Sequence, residues 1–463
     1  MAGRAMLPAS MLESSGEGVF PMSRNEARPV AERLQKAGYQ VVFAGGAVRD
    51  RLLGRREGDV DIATSATPRQ VMALFEKTIP VGESFGVIKV VHRGETYDVA
   101  TFRTDVGSAD GRHPESVQAA TLEDDVLRRD FTINGLVEDP FTGEVFDWVG
   151  GQADLKAGVV RAIGNPSERF EEDSLRLLRG VRFASCLGFE LESETCSAMR
   201  AGAEGLRRIA HERVRDELFK MLASSGRRRA LELLDETELL PIVLPEISAM
   251  HGVEQPPEYH PEGDVWIHTL LALDGLGAEQ VSPELALGTL LHDVGKPPTF
   301  RVGEDRIRFD GHVDLGAEMA DTICERLRLS RESRRRVVAL VKDHLQFMNV
   351  PNMRPATLRR FMAQDHFEDL MLLYRADCGA SHGQLSALPT IDAMRAQLAE
   401  EALVPPPLVQ GSDILALGVP AGPRIGELLR AVEERQLDGD LVDREAALAW
   451  LRETLVDDSH PSA

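Results

Sequence analysis

Two aspartates separated by one residue, Asp59 and Asp61, form the sharpest chemical signal in the sequence. Residues i and i+2 of a strand point to one face, so both carboxylates can address the same point. Carboxylates combined with substrate phosphates are the ligands that suit Mg²⁺. Asp98 is a third candidate, in the second of two predicted strands, 87–92 and 95–102, that pair around Arg93 and Gly94. The alternative for Asp59 and Asp61 alone is a pair of solvated carboxylates in a turn.

Residues before the aspartate pair indicate phosphate binding. Gly45 and Gly46 lie at the end of a predicted strand, where the absence of side chains lets backbone N–H groups approach a phosphate. Arg49, just inside the helix that follows, can pair with phosphate oxygens. The alternative for the glycine pair is an ordinary tight turn.

A third pattern is suited to reading a base. Asp173, Arg176 and Arg179 are spaced three residues apart, and we predict that they share about 120° of one helix face. A carboxylate accepts from the exocyclic amine of cytosine or adenine, and a guanidinium donates to the ring nitrogen beside it. Asp173 and Arg176 can therefore select C and A over G and U. The alternative is a surface ladder of ion pairs.

The second chemical centre is rich in histidine, since eight of the 12 histidines fall between residues 251 and 382. Six residues follow one another in the order His, His-Asp, His, His and Asp, and each part of this pattern lies in its own predicted helix. Imidazoles and carboxylates from different helices suit one or two transition-metal ions in a bundle core. Asp293 is the candidate bridge beside an activated water. This histidine–aspartate cluster consists of His268, His292, Asp293, His312, His344 and Asp377. Three other histidines, His251, His366 and His382, are interpreted as structural.

The elements that must position these groups change in type along the chain. Strand and helix patterns mix up to about residue 165, and long helical patterns follow. Prolines at 256–257, 261 and 405–407 mark joints. We predict a disordered leader over 1–24, a head over 25–165, a helical neck and body over 166–250, a metal domain over 251–400 and a helical tail over 401–463.

Composition narrows the class of protein. The 463 residues carry 53 Lys and Arg against 75 Asp and Glu, a net charge of −22. This balance argues against a non-specific nucleic-acid coat protein, although clustered arginines allow a local basic groove. Four cysteines without a C-x-x-C pair predict the reducing cytoplasm. Apolar runs stay short of the ~20 residues of a membrane span, so no membrane contact is predicted.

Three ordered motifs resemble those of class II tRNA nucleotidyltransferases and bacterial poly(A) polymerases. They are GGAVRDxLLG at 45–54 with DxD at 59–61, RRDFTIN at 128–134, and EDxLRxxR at 172–179. Residues 209–222 resemble the helical neck of that family. The histidine–aspartate cluster resembles that of HD-domain phosphohydrolases, a domain that some family members carry after the neck.

The resemblance implies an α+β fold, with a polymerase-β-like head and mixed sheet followed by an all-α neck, body and HD domain. Asp59 and Asp61 would hold two Mg²⁺ ions, with Asp98 as the third catalytic carboxylate. Arg129 and Asp130 would contact the sugar of the nucleotide. The full set of nucleotide-binding candidates is Gly45, Gly46, Arg49, Arg129, Asp130, Asn134, Asp173, Arg176 and Arg179.

The implied activity is template-independent addition of C and A from CTP and ATP to the 3′ end of tRNA. The HD domain implies an unidentified divalent transition metal and a phosphatase or 2′,3′-cyclic phosphodiesterase activity on damaged RNA ends. The tail after residue 401 resembles a C-terminal segment of the family and predicts either an RNA contact or a packing element. No oligomeric state is predicted.

Four alternatives stay open. A poly(A) polymerase shares the motifs, and an enzyme adding only CC or only A differs in the loop over 103–118, whose pattern here is closer to the A-capable forms. A third alternative is an HD phosphohydrolase whose head is a non-catalytic RNA-binding module. The fourth is a non-enzymatic RNA-binding protein, against which the two complete ligand sets argue.

Overall fold

The computed structural model describes residues 24–55, 59–80, 86–106, 116–304, 306–398 and 403–458. Residues 1–23 of the predicted leader and 107–115 of the predicted specificity loop lie outside this range. The chain divides into two compact units: residues up to 176 with 190–199, and residues 177–189 with those from 200 onward. Among the described residues, no helix has the length and apolar character to cross a membrane.

The first unit combines short strands with short helices. Its strands are β1 (Val41–Ala44), β2 (Asp61–Thr64), β3 (Thr78–Ile79), β4 (Val87–His92), β5 (Glu95–Thr101), β6 (Arg103–Val106), β7 (Ser116–Ala119), β8 (Val137–Glu138), β9 (Val145–Phe146), β10 (Val159–Val160) and β11 (Glu190–Leu191). Its helices are α1 (Arg24–Lys36), α2 (Gly46–Leu52), α3 (Pro68–Leu74), α4 (Leu122–Leu127), α5 (Gly151–Ala157) and α6 (Pro166–Glu172). Helices α7 (Leu175–Leu187) and α8 (Ser193–Gly202) run across the division between the units.

A 7-stranded mixed sheet in the order β3-β4-β5-β2-β1-β8-β9 forms the frame of the first unit. Strand β1 is antiparallel to β2, and β2 is parallel to β5 with Ile62 opposite Val99. Both of these side chains are buried, because they point to the apolar face of the sheet. Asp61 and Asp98 immediately precede them and therefore start from neighbouring positions on adjacent strands.

Strands β4 and β5 form the predicted hairpin. Its two turn residues, Arg93 and Gly94, have φ angles of 53° and 89°. Two successive positive φ angles are typical of the tight turn that matches the twist of antiparallel strands. The resulting register places Lys89 opposite Asp98.

In its described residues, the second unit is helical apart from one small hairpin, β12 (Arg301–Val302) and β13 (Ile307–Arg308). Its helices are α9 (His211–Ala223), α10 (Arg227–Glu236), α11 (Leu240–Val243), α12 (Pro245–Ser248), α13 (Val265–Gly275), α14 (Pro283–Leu291), α15 (Lys296–Thr299), α16 (His312–Arg326), α17 (Arg331–Asp343), α18 (Pro355–Met362), α19 (Phe367–Ala380), α20 (Leu388–Gln397), α21 (Gly411–Ala416), α22 (Pro423–Asp438) and α23 (Arg444–Asp458). The predicted fold class, a mixed-sheet head followed by helices, is confirmed.

A glycine allows two helices of the second unit to meet closely. A Cβ on Gly295 would lie 2.1 Å from the carbonyl oxygen of His312, a distance that no side chain tolerates. The start of α15 can therefore approach the start of α16 only with glycine at this position. This close approach brings the segment after Asp293 next to His312.

The tail forms a small core of its own around Ile414, Val432 and Leu451. Its helix α22 also contacts α18, where Asp438 Oδ1 accepts a hydrogen bond of 2.8 Å from the backbone N–H of Ala356. Arg354 and Glu434 form an ion pair beside it. Packing is thus one role of the tail.

The prediction that Asp173 lies on a helix with Arg176 and Arg179 is wrong. Helix α6 ends at Glu172, and α7 begins at Leu175. Asp173 has an extended backbone, and its Oδ1 accepts a 3.0 Å hydrogen bond from the Leu175 N–H. The short aspartate side chain competes for backbone donors and so favours a helix start over a helix interior.

Candidate active site

Three carboxylates lie near one another where strand β2 begins beside the middle of β5. We call Asp59, Asp61 and Asp98 the carboxylate cluster. Asp61 opens β2, and Asp98 Oδ1 lies 2.7 Å from the Lys89 ammonium. Desolvation by the surrounding protein raises the pKa of Asp61, and the negative charges of Asp98 and Asp59 raise it further, whereas Arg129 opposes the shift. A buried carboxylate whose pKa is raised by neighbouring negative charges is the environment that a divalent cation relieves, so Asp61 and its neighbours fit a bound metal.

Gly45 separates this cluster from Arg129. Its φ is 71°, in the left-handed region that favours glycine. A Cβ at Gly45 would lie 3.4 Å from Arg129 Nη1 and 3.8 Å from Asp61 Oδ2. Backbone, guanidinium and carboxylate thus share one small space, and any side chain at Gly45 would intrude into it. Gly46 follows as the first residue of α2.

Three of the predicted nucleotide-binding residues form a buried chain of hydrogen bonds. Arg49 Nη1 donates to Asn134 Oδ1 at 2.7 Å, and Asn134 Nδ2 donates to Asp130 Oδ1 at 3.1 Å. Arg49 also bonds Asp50 through Nε at 2.8 Å. Arg49 is only 8% exposed, so in this structure it joins α2 to the segment after α4. A contact between Arg49 and phosphate stays a prediction.

Asp125 is a residue of the candidate site that the motifs did not single out. It is 2% exposed and accepts from Arg128 Nη2 at 2.6 Å and Arg129 Nη2 at 3.0 Å. Burial opposes its ionisation, but the two guanidinium groups outweigh burial and lower the pKa of Asp125. Asp125 therefore fixes Arg129 beside the carboxylate cluster. Its i,i+3 and i,i+4 spacing to the arginines was the available signal.

Arg176 connects the predicted base-selecting segment to the same region. Its Nη1 donates to Glu172 Oε2 at 2.7 Å and to the Arg169 carbonyl at 3.0 Å. Its Nη2 donates to the carbonyl oxygen of Arg128 at 3.0 Å. This bond holds Arg176 against the residue that precedes Arg129. Arg179 belongs to the second unit, where its guanidinium lies 5.3 Å from the Phe183 ring centroid.

The structure brings the six residues of the histidine–aspartate cluster together. His268 Nε2 lies 3.1 Å from Asp377 Oδ1 and 3.2 Å from His292 Nε2. Asp293 provides the second group, with Oδ1 at 3.8 Å from His312 Nε2 and 4.0 Å from His344 Nε2. Its other oxygen, Oδ2, lies 3.3 Å from His292 Nε2. Asp293 thus faces both groups, as a bridging carboxylate must.

Each imidazole of the cluster is oriented by a partner of its Nδ1 atom. Three of the acceptors are backbone carbonyls, and the fourth is a carboxylate. The pairs are His292 with Thr289 O at 2.7 Å, His344 with Val341 O at 2.6 Å, His312 with Phe309 O at 2.8 Å and His268 with Glu262 Oε1 at 2.7 Å. A bonded Nδ1 leaves Nε2 to face the centre, which is the usual orientation of metal-binding histidines.

The electrostatics of the cluster favour a cation. Burial opposes ionisation of Asp293, but Lys296 and His292 hold its pKa well below the usual range. Asp293 Oδ1 is buried and has no hydrogen-bond partner in the part of the chain that the structure describes. Burial also disfavours charged His268, yet hydrogen bonds to Asp377 and Glu262 raise its pKa to about 9. An ionised carboxylate oxygen without a partner, facing imidazole nitrogens, fits a divalent metal ion.

Glu262 is a second residue that the sequence did not single out. Its Oε1 accepts from His268 at 2.7 Å and from His260 Nδ1 at 2.9 Å. Hydrogen bonds to His268 and His260 overcome the effect of burial and lower the pKa of Glu262. Glu262 lies in a segment without helical or strand periodicity, so no spacing pattern connected it to His268.

We expect Glu262→Ala to weaken metal binding by about 10–100-fold, because the His268 ring loses the partner that orients it. Glu262→Gln retains an acceptor and should weaken it less. Metal affinity is measured by competition with a chelator, and Glu258→Ala, an exposed glutamate of the same segment, is the matched control. An unchanged affinity in Glu262→Ala would show that His268 needs no such partner.

Models of known protein families match three parts of the chain. The Poly A polymerase head domain matches residues 41–161. A second model, described as a probable RNA and SrmB-binding site of polymerase A, matches residues 188–250. The HD domain matches residues 264–377. The chain therefore combines a head of the poly(A) polymerase class with an HD domain.

Individual relatives narrow this class. A CCA-adding enzyme of Bacillus pumilus is 46% identical over 214 residues, which are 46% of this chain and 53% of the relative. The chain thus matches about half the length of the relatives with such identities. A CCA-adding enzyme of Lactobacillus johnsonii is 30% identical over 423 residues, 91% of this chain and 95% of the relative. The chain belongs to the family of the CCA-adding enzymes.

A solved structure agrees with this membership. The crystal structure of the Bacillus stearothermophilus CCA-adding enzyme in complex with CTP has a TM-score of 0.72 and 30% identity to this chain. The match covers 94% of this chain and 98% of the other. Nucleotidyltransferases of this kind use divalent metal ions. Among the described residues, the groups of ligand atoms that lie close enough to hold one ion belong to the histidine–aspartate cluster and to His260 and Glu262 beside it.

Proposed function

We propose that this chain adds C, C and A to the 3′ end of tRNA from CTP and ATP without a nucleic-acid template. The observation that carries the proposal is the carboxylate cluster beside Gly45 and Arg129, where a triphosphate and a hydroxyl could meet. Membership in the CCA-adding family supports the choice of tRNA, CTP and ATP.

The reaction joins the RNA 3′-oxygen to the α-phosphorus of the nucleotide, while the bond to pyrophosphate breaks. Mg²⁺ held by Asp59 and Asp61, with Asp98 beside them, would neutralise phosphate charge and favour the ionised 3′-hydroxyl. Arg129, fixed by Asp125, contributes a permanent positive charge beside Gly45. The chain Arg49–Asn134–Asp130 holds the sugar-contacting segment in place.

Base selection is assigned to Asp173 and Arg176. A carboxylate acceptor next to a guanidinium donor matches the pairing edges of C and A. Arg176 bonds the Arg128 carbonyl, so a base held by this pair would continue into a sugar held at Arg129 and Asp130. Because this hydrogen bond joins Arg176 to Arg128, the base-selecting pair and the sugar-contacting residues could hold the same nucleotide.

We expect Asp173→Ala to relax base choice, so that UTP and GTP are incorporated at rates approaching those of CTP and ATP. The lost acceptor removes the bond that the exocyclic amine makes. Rates with the four nucleotides are compared in single-turnover assays. Asp173→Asn, which keeps the bond to the Leu175 N–H, controls for loss of the α7 start, and the exposed Glu171→Ala is the matched surface control. Unchanged discrimination in Asp173→Ala would contradict the assignment.

The proposal is tested with labelled CTP and ATP, separately and together, on tRNA transcripts that end at the discriminator base, at C and at CC. Stepwise growth to CCA on all three supports it. Incorporation of a single nucleotide type would instead identify a CC-only or A-only enzyme, and open-ended ATP addition a poly(A) polymerase. No incorporation in Mg²⁺ would leave the head as an RNA-binding module.

A second activity is favoured by the histidine–aspartate cluster, which we assign to metal-dependent hydrolysis of phosphate esters. The metal would be a divalent transition ion, since four imidazoles face the site. When bound, it would supply an activated water for attack on phosphorus. Lys296 Nζ donates a hydrogen bond to Gln255 Oε1 at 2.7 Å and would neutralise a phosphate oxygen.

We further propose a cytoplasmic location. All four cysteines lie in the described part of the chain, and none of them forms a disulfide, as is usual in a reducing compartment.

A further inference from the structure

Two phenylalanine rings adjoin the histidine–aspartate cluster and have no role in either proposed reaction. Phe300 and Phe309 flank the β12–β13 hairpin, with ring centroids 6.0 Å apart. Phe300 is 37% exposed, and Phe309 is half-buried. The two neighbouring rings thus offer a partly exposed aromatic surface beside the charged cluster.

Phe309 is tied to the cluster by three contacts. Its carbonyl oxygen accepts from His312 Nδ1 at 2.8 Å, and its ring centroid lies 6.4 Å from the His312 ring. The Lys296 ammonium lies 5.4 Å from the ring centroid of Phe309. Because Lys296 also pairs with Asp293 Oδ2 at 2.6 Å, the ring borders the place where a phosphate would be held.

The hairpin itself does not act as an electrostatic attractor. Arg301, Arg306 and Arg308 are balanced in the sequence by Glu304, Asp305 and Asp310. Arg301 is already paired with Asp310 at 2.8 Å. Recognition beyond the phosphate therefore depends on the rings. Aromatic side chains stack on any nucleobase, because every base has a π face.

We propose that Phe309, continued outward by Phe300, stacks on the nucleobase of the phosphate ester that the histidine–aspartate cluster hydrolyses. This inference rests on the proposed hydrolytic function and names its substrate class as nucleoside phosphates. The phosphate faces Lys296 and the cluster, and the base lies on the Phe309 ring. A free nucleotide and the terminal nucleotide of an RNA share this chemistry.

The stacking role is tested by comparing hydrolysis of a substrate that has a nucleobase with hydrolysis of one that has none. We expect Phe309→Leu, which keeps apolar volume but removes the π face, to lower kcat/KM for adenosine 3′-monophosphate about tenfold. Hydrolysis of β-glycerol phosphate, which has no base, should change less than twofold. Phe141→Leu is the matched control, since Phe141 is a half-buried ring beside Arg28 in the other unit. Equal losses on both substrates would overturn the stacking role.

Binding is tested independently of hydrolysis with Phe309→Trp in the presence of EDTA. Stacking should quench the new indole on titration with adenosine 3′-monophosphate but not with ribose 5-phosphate, and Phe141→Trp should show no such difference. An RNA hexamer with a 3′-phosphate is the second ligand. Whichever of the two ligands binds more tightly shows whether the base belongs to a free nucleotide or to the end of an RNA. If neither ligand quenches Phe309→Trp more than ribose 5-phosphate does, the inference fails. If quenching occurs but the metal-loaded chain hydrolyses neither ester, only the proposed hydrolysis fails.

Discussion

We expect Asp61→Ala to abolish nucleotide addition without loss of the fold. Asp61 opens β2, and its Oδ2 would lie 3.8 Å from a Cβ at Gly45, in the space that it shares with Arg129. Removing a metal ligand at a phosphoryl-transfer site costs several kcal/mol of transition-state stabilisation, so we expect a loss of more than about 10³-fold.

The thermal stability of Asp61→Ala, in contrast to its activity, should not fall. The protein raises the pKa of Asp61 above its value in the unfolded chain, through burial and through Asp98 and Asp59. An ionised group with a raised folded pKa opposes folding at neutral pH, and this cost disappears as the pH falls through the folded pKa. The midpoint of thermal unfolding of Asp61→Ala at pH 7 should therefore be unchanged or higher.

Incorporation of labelled ATP into tRNA transcripts ending in CC measures the first effect, and calorimetry measures the second. Glu95→Ala, which removes an exposed carboxylate at the start of the neighbouring strand β5, is the matched control and should retain full activity. Residual activity of Asp61→Ala within tenfold of the unsubstituted chain would refute the catalytic assignment. Asp59→Ala provides an independent repeat of the test.

The second large effect is expected from Asp293→Asn, which should empty the histidine–aspartate cluster of metal. Asp293 faces both ligand groups, and the amide cannot supply a charged bridging oxygen. Asparagine keeps the volume of the buried side chain, so packing is retained. The metal content should fall to that of chelator-treated protein, and phosphate-ester hydrolysis should fall with it.

Elemental analysis of protein purified without chelator provides the measurement. His312→Asn is a second variant at a more accessible ligand, and His366→Asn is the control, because His366 pairs with Asp343 outside the cluster. Unsubstituted protein without metal above background would refute the assignment of a metal site. Undiminished metal in both Asp293→Asn and His312→Asn would refute the assignment of these ligands.

The parts of the site that the sequence predicted are those in which short-range spacing determines geometry. The β4–β5 hairpin follows from strand alternation and a two-residue turn. The neighbouring placement of Asp61 and Asp98 depends instead on the pairing of β2 with β5, which the spacing of residues does not contain. The six members of the histidine–aspartate cluster were likewise identified from the order of the histidines and aspartates along the sequence. Asp173 was misplaced because its side chain ends one helix pattern and starts another, and periodicity does not reveal such a break.

Long-range partners could not be predicted. Glu262 meets His268 through a segment without periodicity, and Arg176 reaches the Arg128 carbonyl across 48 residues. The approach of Asp293 to His312 depends on the missing side chain of Gly295, where a Cβ would lie 2.1 Å from a carbonyl oxygen. Such contacts depend on how elements pack, which the spacing of residues within one element does not contain.

The central claim, that the head builds CCA on tRNA, is tested most directly by offering all four nucleoside triphosphates together. A tRNA transcript that ends at the discriminator base is incubated with equal concentrations of ATP, CTP, GTP and UTP in Mg²⁺, and the 3′ ends of the products are sequenced over time. We expect growth by C, C and A in that order, followed by a stop, without incorporation of U or G. Open-ended A tails, or U and G within the added residues, would contradict it.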